Sequence, residues 1–293
     1  MTQISKPIII LGTGRCGSTV FHRLLATHPQ VMWLSNLCQR YPAKPAWNRR
    51  AVVAMGHPLL RRLLRERILP SEAYRFWDRY TYGFSTPCRD LVREDVTPRI
   101  KKQVRAALEP MLTPARSRLL VKITGWSRIG FLHGIFEDAK FIHIVRDGRA
   151  AASSLLHVSF WPGWRGPQGW GAGLLSSEDQ AAWEDSNRSF AALAGLQWKI
   201  QTRAVEAARQ ALDPNAFCEV KYETFCEQPL ETYRRVLEFA ELPWSAEVEQ
   251  HGKAASIKNM SNRWRDDLTA GQQAVLNHLL REDLLRYGYD VSH

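Results

Sequence analysis

The 293-residue sequence lacks any apolar stretch near the roughly 20 residues that span a bilayer; residues 7–11, its clearest apolar run, are only strand-sized. It also lacks the apolar core of an export signal, because residues 1–6 are polar and Gly12 interrupts the run that follows. A cytoplasmic protein with no transmembrane segment is expected. Cysteine is sparse: Cys16, Cys38, Cys88, Cys218 and Cys226 are odd in number and scattered, and no pair has metal-ligand spacing. That argues against a zinc module and points to reduced thiols. Acidic residues are the scarcer charge, 29 against 40 Lys and Arg, for a net +11. Such an excess favours anionic partners: nucleic acid, a membrane surface or a small polyanion. Six of the arginines lie between Arg49 and Arg67 with Glu66 as the one acid, which reads as a solvated helix face. No recognised nucleic-acid module accompanies the charge, so no nucleic-acid partner is expected. Internal repeats and dividing linkers are missing too, so residues 1–293 are expected to form a single domain.

What is present is ordinary globular composition, 45% hydrophobic and 24% charged, enough for one large α/β domain. Residues 8–11 end in Gly12 and residues 20–26 then take helical spacing, which reads as strand, glycine loop, helix. Further strands are expected at 31–34, 118–123, 140–145 and 217–220, with helices at 127–136, 147–157, 180–212 and 230–240 and an amphipathic tail at 270–287. Alternating strands and helices imply a parallel sheet with helical crossovers. The fold class is therefore α/β, a three-layer P-loop-type fold with a central parallel sheet flanked by helices. About residues 36–114 form an inserted helical region. About residues 158–180 form a Gly/Trp-rich loop containing Trp161, Trp164 and Trp170, of the kind that serves as a lid or binding element.

Gly12-Thr13-Gly14-Arg15-Cys16-Gly17-Ser18-Thr19 lies between the first strand and its helix. Glycines let backbone N–H groups turn inward, and the helix N-terminus adds positive potential, so the loop suits a phosphate-like anion. Gly12 and Gly17 have Walker A spacing, but Ser18 stands where that motif needs Lys. The cation is instead Arg15, inside the loop. A P-loop phosphotransferase is correspondingly disfavoured, and no Mg²⁺-binding aspartate stands out at a strand end. A dinucleotide fingerprint fails on glycine spacing.

Gly14-Arg15-Cys16-Gly17-Ser18-Thr19 resembles the 5′-phosphosulfate loop of the PAPS-dependent sulfotransferases, with Gly14 for the usual Pro and Cys16 for the usual Ser. The continuation Leu24-Leu25-Ala26-Thr27-His28-Pro29-Gln30-Val31 is similar to carbohydrate and tyrosylprotein members. Phe141-Ile142-His143-Ile144-Val145-Arg146-Asp147-Gly148-Arg149 with Ser154 resembles the family's 3′-phosphate motif, a strand-end Arg and a Ser eight positions on. A guanidinium and a hydroxyl so placed can converge on one phosphate; a local Arg146–Asp147 ion pair is the plainer alternative. Lys122, Tyr222 in Lys221-Tyr222-Glu223-Thr224-Phe225, and Arg263 in Ser261-Asn262-Arg263-Trp264-Arg265 fall at further family positions.

The resemblance implies transfer of a sulfuryl group from 3′-phosphoadenylyl sulfate (PAPS) to a hydroxyl or similar nucleophile of a small-molecule, glycan or lipid acceptor, with PAP as product and no metal. Arg15 and Lys122 would be catalytic. Gly14, Arg15, Cys16, Gly17, Ser18, Thr19, Arg146, Ser154, Tyr222 and Arg263 would bind the donor. Residues 36–114 and the Trp-rich loop would shape the acceptor pocket. The general base is missing where relatives carry a carboxylate: residues 34–37 read Leu-Ser-Asn-Leu. Glu94, Asp95, His57 and His157 are the candidates, and without a base a nucleotide-binding protein of this fold lacking turnover is the alternative.

Overall fold

Five short, mostly aliphatic runs pair into one sheet in the computed structural model, which describes residues 3–254 and 257–291. They are β1 (Ile8–Gly12), β2 (Val31–Trp33), β3 (Arg118–Thr124), β4 (Lys140–Val145) and β5 (Phe217–Lys221), in the order β2-β3-β1-β4-β5. Every pairing is parallel, as alternating strands and helices predict. Helical crossovers cover both faces of such a sheet, which is why β1 is buried at all its positions. Each buried isoleucine there contributes on the order of 1.5–3 kcal/mol.

Register aligns the strand exits. Gly12 lies opposite Thr124, Leu11 opposite His143, and Val145 opposite Lys221, so the loops after β1, β3, β4 and β5 emerge on one edge. From β1 the chain winds through β2 and β3 on one side, then crosses to β4 and β5 on the other. That reversal opens a crevice at the carboxyl ends beside β1, where ligands of open α/β sheets bind.

Between β2 and β3 the chain is helical as expected, with helices Asn36–Arg40, Pro45–Ala54, Pro58–Leu64, Tyr74–Thr81 and Pro98–Leu108. Buried Asn48 anchors the start of this excursion. Its Nδ2 donates to the Trp33 carbonyl (2.9 Å), and its Oδ1 accepts from the Ser35 N–H (2.9 Å) and hydroxyl (2.6 Å). The chain then returns alongside the exit of β2: Asn36 N–H donates to Leu69 O and Ser71 N–H to Leu34 O, both at 2.9 Å, around an antiparallel Ser35–Pro70 bridge.

The long helix expected from periodicity is broken, and the amphipathic tail is not one continuous helix either. Residues 180–212 fold as Ser177–Asp185 and Phe190–Arg209. Asn187 and Arg188 take φ of 55° and 54°, and the Ser189 hydroxyl caps the second helix by accepting from Ala191 and Ala192 N–H. Apolar spacing persists across that turn, so spacing alone joins the halves. The tail splits into Ala270–Leu279 and Arg281–Arg286 at the buried Leu280. These helices pack with Gly148–Leu156 into a second apolar cluster that holds Trp161, Trp170, Trp198 and Trp264.

Candidate active site

The loop after β1 is shaped by contacts that tolerate only small residues at two positions. A Cβ on Gly12 would lie 2.4 Å from Cys16 Sγ, and one on Gly17 would lie 2.3 Å from the Tyr222 ring. Gly17 has φ 84° and begins the helix Ser18–Leu25, which no side chain caps. The first N–H groups of that helix need partners from elsewhere, and Gly17, Ser18, Thr19 and Val20 all line the cavity. Cys16 goes the other way: its side chain is fully buried against Gly12, so it can offer an anion only its backbone. Burial pushes its thiol pKa up and keeps it protonated.

Arg15, at φ 70°, occupies a conformation costly for a non-glycine residue. Two long-range bonds hold it: Arg15 Nε donates to Ser154 Oγ (2.9 Å), and Arg146 Nη1 donates to the Arg15 carbonyl (3.0 Å). The two sequence motifs are thus joined directly. Arg146 also donates through Nη2 to Met260 O (2.7 Å), and its guanidinium lies 4.7 Å from the centre of the Tyr222 ring. The Arg146 Nε–H is buried and has no partner among the described residues. An orphaned guanidinium donor beside an anion-type loop fits a phosphate oxygen. The alternative ion pair does not form, because Asp147 binds Arg149 (2.7 Å) and caps the helix Gly148–Leu156. Trp198 secures the strand end by donating from Nε1 to Arg146 O (3.1 Å).

Tyr222 lies against the cavity between Gly17 and Arg146, its hydroxyl donating to Lys258 O at 3.2 Å. Burial pushes its pKa up to about 12, so the phenol stays neutral. Arg263 also lines the cavity and pairs with Asp267 at 3.1 Å. Beside it Trp264 is buried, with the Arg149 and Arg265 guanidinium groups 4.4 and 4.7 Å from its ring.

Lys122 projects from β3 and is 3% exposed. Its Nζ donates to Thr19 Oγ1 (2.9 Å) and pairs with Glu72 Oε1 (2.6 Å). Thr19 and Glu72 both line the cavity, so Lys122 sits just behind the wall and links the phosphate loop to a carboxylate. Sequence reasoning missed Glu72. Of its four suggested bases only His157 reaches the cavity, with Nδ1–H donating to Ser153 O at 2.8 Å. Asp95 is bound by both Nη groups of Arg89 at 2.8 Å. Glu94 lies outside the cavity lining, and exposed His57 begins the surface helix Pro58–Leu64. Glu72 arrives because the pairing of Ser35 with Pro70 sets it two residues past the bridge. The carboxylate absent from residues 34–37 is brought back by the returning segment that bridges to them at Pro70.

The cavity measures about 570 Å³, within the roughly 300–1,000 Å³ usual for small-molecule sites. Val20, Leu155, Val158 and Phe160 make its apolar wall. The tryptophans expected to line it do not: Trp161 and Trp170 are buried, donating from Nε1 to Gln197 Oε1 (2.7 Å) and Gly173 O (2.6 Å), and Trp164 lies outside the lining. Tryptophan in a Gly-rich loop signals packing as readily as binding.

A family model described as the Sulfotransferase family matches residues 7–246. The fold is similar to that of sulfotransferase STF9 from Mycobacterium avium, with a TM-score of 0.61 and 19% identity, covering 98% of this chain and 78% of that one. It is also similar to the sulfotransferase domain of the Synechococcus PCC 7002 olefin synthase, with a TM-score of 0.54 and 17% identity over 99% and 97% of the two chains. Sulfotransferase STF1 from Mycobacterium tuberculosis H37Rv gives 0.53 and 16%, over 96% and 76%. At such identities these likenesses establish the fold. Comparison with curated proteins gives no match.

Proposed function

The chain belongs to the sulfotransferase family, and from that premise we propose that its cavity binds PAPS and transfers the sulfuryl group to an acceptor hydroxyl. One observation carries the reading: Lys122 bridges Thr19 of the anion loop and Glu72 on the acceptor side. Arg15 and the N–H groups of Gly17, Ser18 and Thr19, with Gly14 and the Cys16 backbone beside them, hold the 5′-phosphosulfate. Arg146, through its unpartnered Nε–H, takes the 3′-phosphate with Ser154 and Arg263. Tyr222 packs beneath the nucleotide and keeps the loop and Arg146 in place.

The donor brings an activated sulfur–oxygen bond; the protein positions charge around it. Glu72 takes the proton of the acceptor hydroxyl, whose oxygen forms a bond to sulfur as the bond to the 5′-phosphate oxygen breaks. The electron pair stays on that phosphate oxygen, and the charge of Lys122, held against Thr19 and Glu72, stabilises it. Fixed cations aimed at developing charge are the main catalytic resource of such a site. Glu72 also supplies what the reading of a non-catalytic binding protein rested on lacking.

Residues 36–114 belong, in this reading, to one functional unit with the sheet, because they deliver Glu72 to the acceptor side. The acceptor is a hydroxyl-bearing small molecule, glycan or lipid. Five free cysteines suit a reducing compartment such as the cytosol. Among the described residues no helix is long and apolar enough to cross a membrane.

Thermal unfolding tests donor recognition. PAP at a hundredfold excess over its Kd should stabilise the chain by about 2.7 kcal/mol, while ATP with Mg²⁺ leaves Tm unchanged. A response to ATP–Mg²⁺ and none to PAP overturns the reading. Labelled PAPS offered with panels of phenols, sterols, sugars and lipids then identifies the acceptor.

A further inference from the structure

The helix Pro58–Leu64 is turned the wrong way round for a globular surface. Leu59, Leu60 and Leu63 fall on one arc of it, and Leu59 and Leu63 are 70% and 71% exposed. The opposite arc carries Arg61 and, one turn on, Arg65, with Arg62 beside them. These arginines turn toward a second cavity of about 420 Å³. Arg23, Arg116 and His251 complete its basic lining, and Trp33, Met55, Ile68 and Leu69 form its apolar part. Among the described residues no carboxylate lines it. Glu66 reaches Arg65 only at 4.0 Å on the surface, and Glu247 senses Arg61 through space. Burial first and the neighbouring Arg61 second lower the pKa of Arg116, against a smaller opposing effect of Glu247, so like charges gather here.

An isolated polyanion would explain the arginines but leave the leucines in water. A protein groove would explain the leucines and leave the arginines unanswered. Exposed leucines flanked by clustered arginines match a bilayer interface, where acyl chains take the leucines and anionic headgroups take the guanidinium groups. We propose that this face docks on an anionic phospholipid surface, with Leu59, Leu60 and Leu63 entering the headgroup boundary and the cavity of Arg61, Arg62 and Arg65 receiving a lipid phosphate. The charge excess of +11 acts in the same sense. The surface also adjoins the transfer site. Arg23 lies one turn beyond Val20 on the helix whose Thr19 and Val20 line the first cavity, and Leu69 and Pro70 of the second cavity lead directly to Glu72. Docking therefore sets the acceptor side of the enzyme close to the membrane plane.

Co-sedimentation with vesicles tests the proposal. The chain should pellet with vesicles of phosphatidylcholine mixed with phosphatidylglycerol and stay in solution with phosphatidylcholine alone. Leu59→Ser/Leu63→Ser should lower partitioning about tenfold at unchanged charge. Arg61→Gln/Arg62→Gln/Arg65→Gln should lower it by at least about tenfold. Both variants should keep the PAP-induced rise in Tm of the parent, which separates a docking defect from misfolding; a parent with no such rise bears on the donor assignment and leaves vesicle binding to be read separately. Equal pelleting with both vesicle types overturns the proposal, as does a leucine variant that partitions like the parent. Retention on a sulfated polysaccharide without vesicle binding also overturns it and assigns the surface to a polyanionic glycan.

Discussion

Glu72 and Arg146 touch different ends of one cavity, and their substitutions should separate cleanly. Glu72→Gln keeps the shape of the side chain and removes the proposed proton acceptor. A positioned general base contributes typically 10²–10⁴-fold, so kcat should fall at least about a hundredfold while PAP affinity stays within about threefold. Arg146→Ala removes a guanidinium that grips the Arg15 carbonyl and whose Nε–H is proposed to serve the 3′-phosphate. Charge-assisted hydrogen bonds contribute about 1.5–3 kcal/mol, so donor affinity should fall roughly ten- to a hundredfold by calorimetry. Equal losses of kcat and donor affinity in both variants would remove the division of roles.

At the level of elements, the anion loop is held between two packing constraints. Gly17 must turn left-handed to start the helix Ser18–Leu25, and the Tyr222 ring occupies the place a side chain would need. Gly17→Ala therefore meets a backbone cost of roughly 1–2 kcal/mol plus a clash that displaces Tyr222 or the loop. A scan should show Tm lowered by several degrees, at roughly 2–4 °C per kcal/mol for a chain somewhat shorter than this one. The larger effect should be loss of PAP-induced stabilisation, since the helix N–H groups lose their aim. A variant that unfolds earlier yet gains the full increment from PAP would show that the loop geometry is not what recognises the donor.

Across the molecule, acid should destabilise the fold before most carboxylates titrate. His22 is buried behind the anion loop, where burial first and Lys122 second hold its pKa well below the usual imidazole range; burial lowers that of His28 as well. Below the unfolded value of about 6.5 the unfolded chain takes up protons that the folded chain refuses. Stability is therefore complete above that value and is lost as pH falls through the window down to the folded pKa. Buried Asp90, whose pKa burial raises, works in the opposite sense at lower pH. Tm should decline between about pH 7 and about pH 5.5, with a shallower slope in His22→Gln; an unchanged slope would exclude His22 as a source.

The strand–loop–helix unit around Arg15 and the strand end at Arg146 were legible in the chain, because glycine dihedrals and buried aliphatic runs act over a few neighbouring residues. Their order along the chain also implied the parallel sheet. The breaks at Asn187 and Leu280 were not legible, since apolar spacing runs on through both. The carboxylate facing Lys122 was hidden for a different reason. Residues 34–37 carry none, and Glu72 reaches the site only because Ser35 pairs with Pro70 across a helical excursion that Asn48 anchors. The same holds for the Arg15–Ser154 contact. Each of these depends on packing between segments far apart in the chain, and no local preference of the residues involved encodes it.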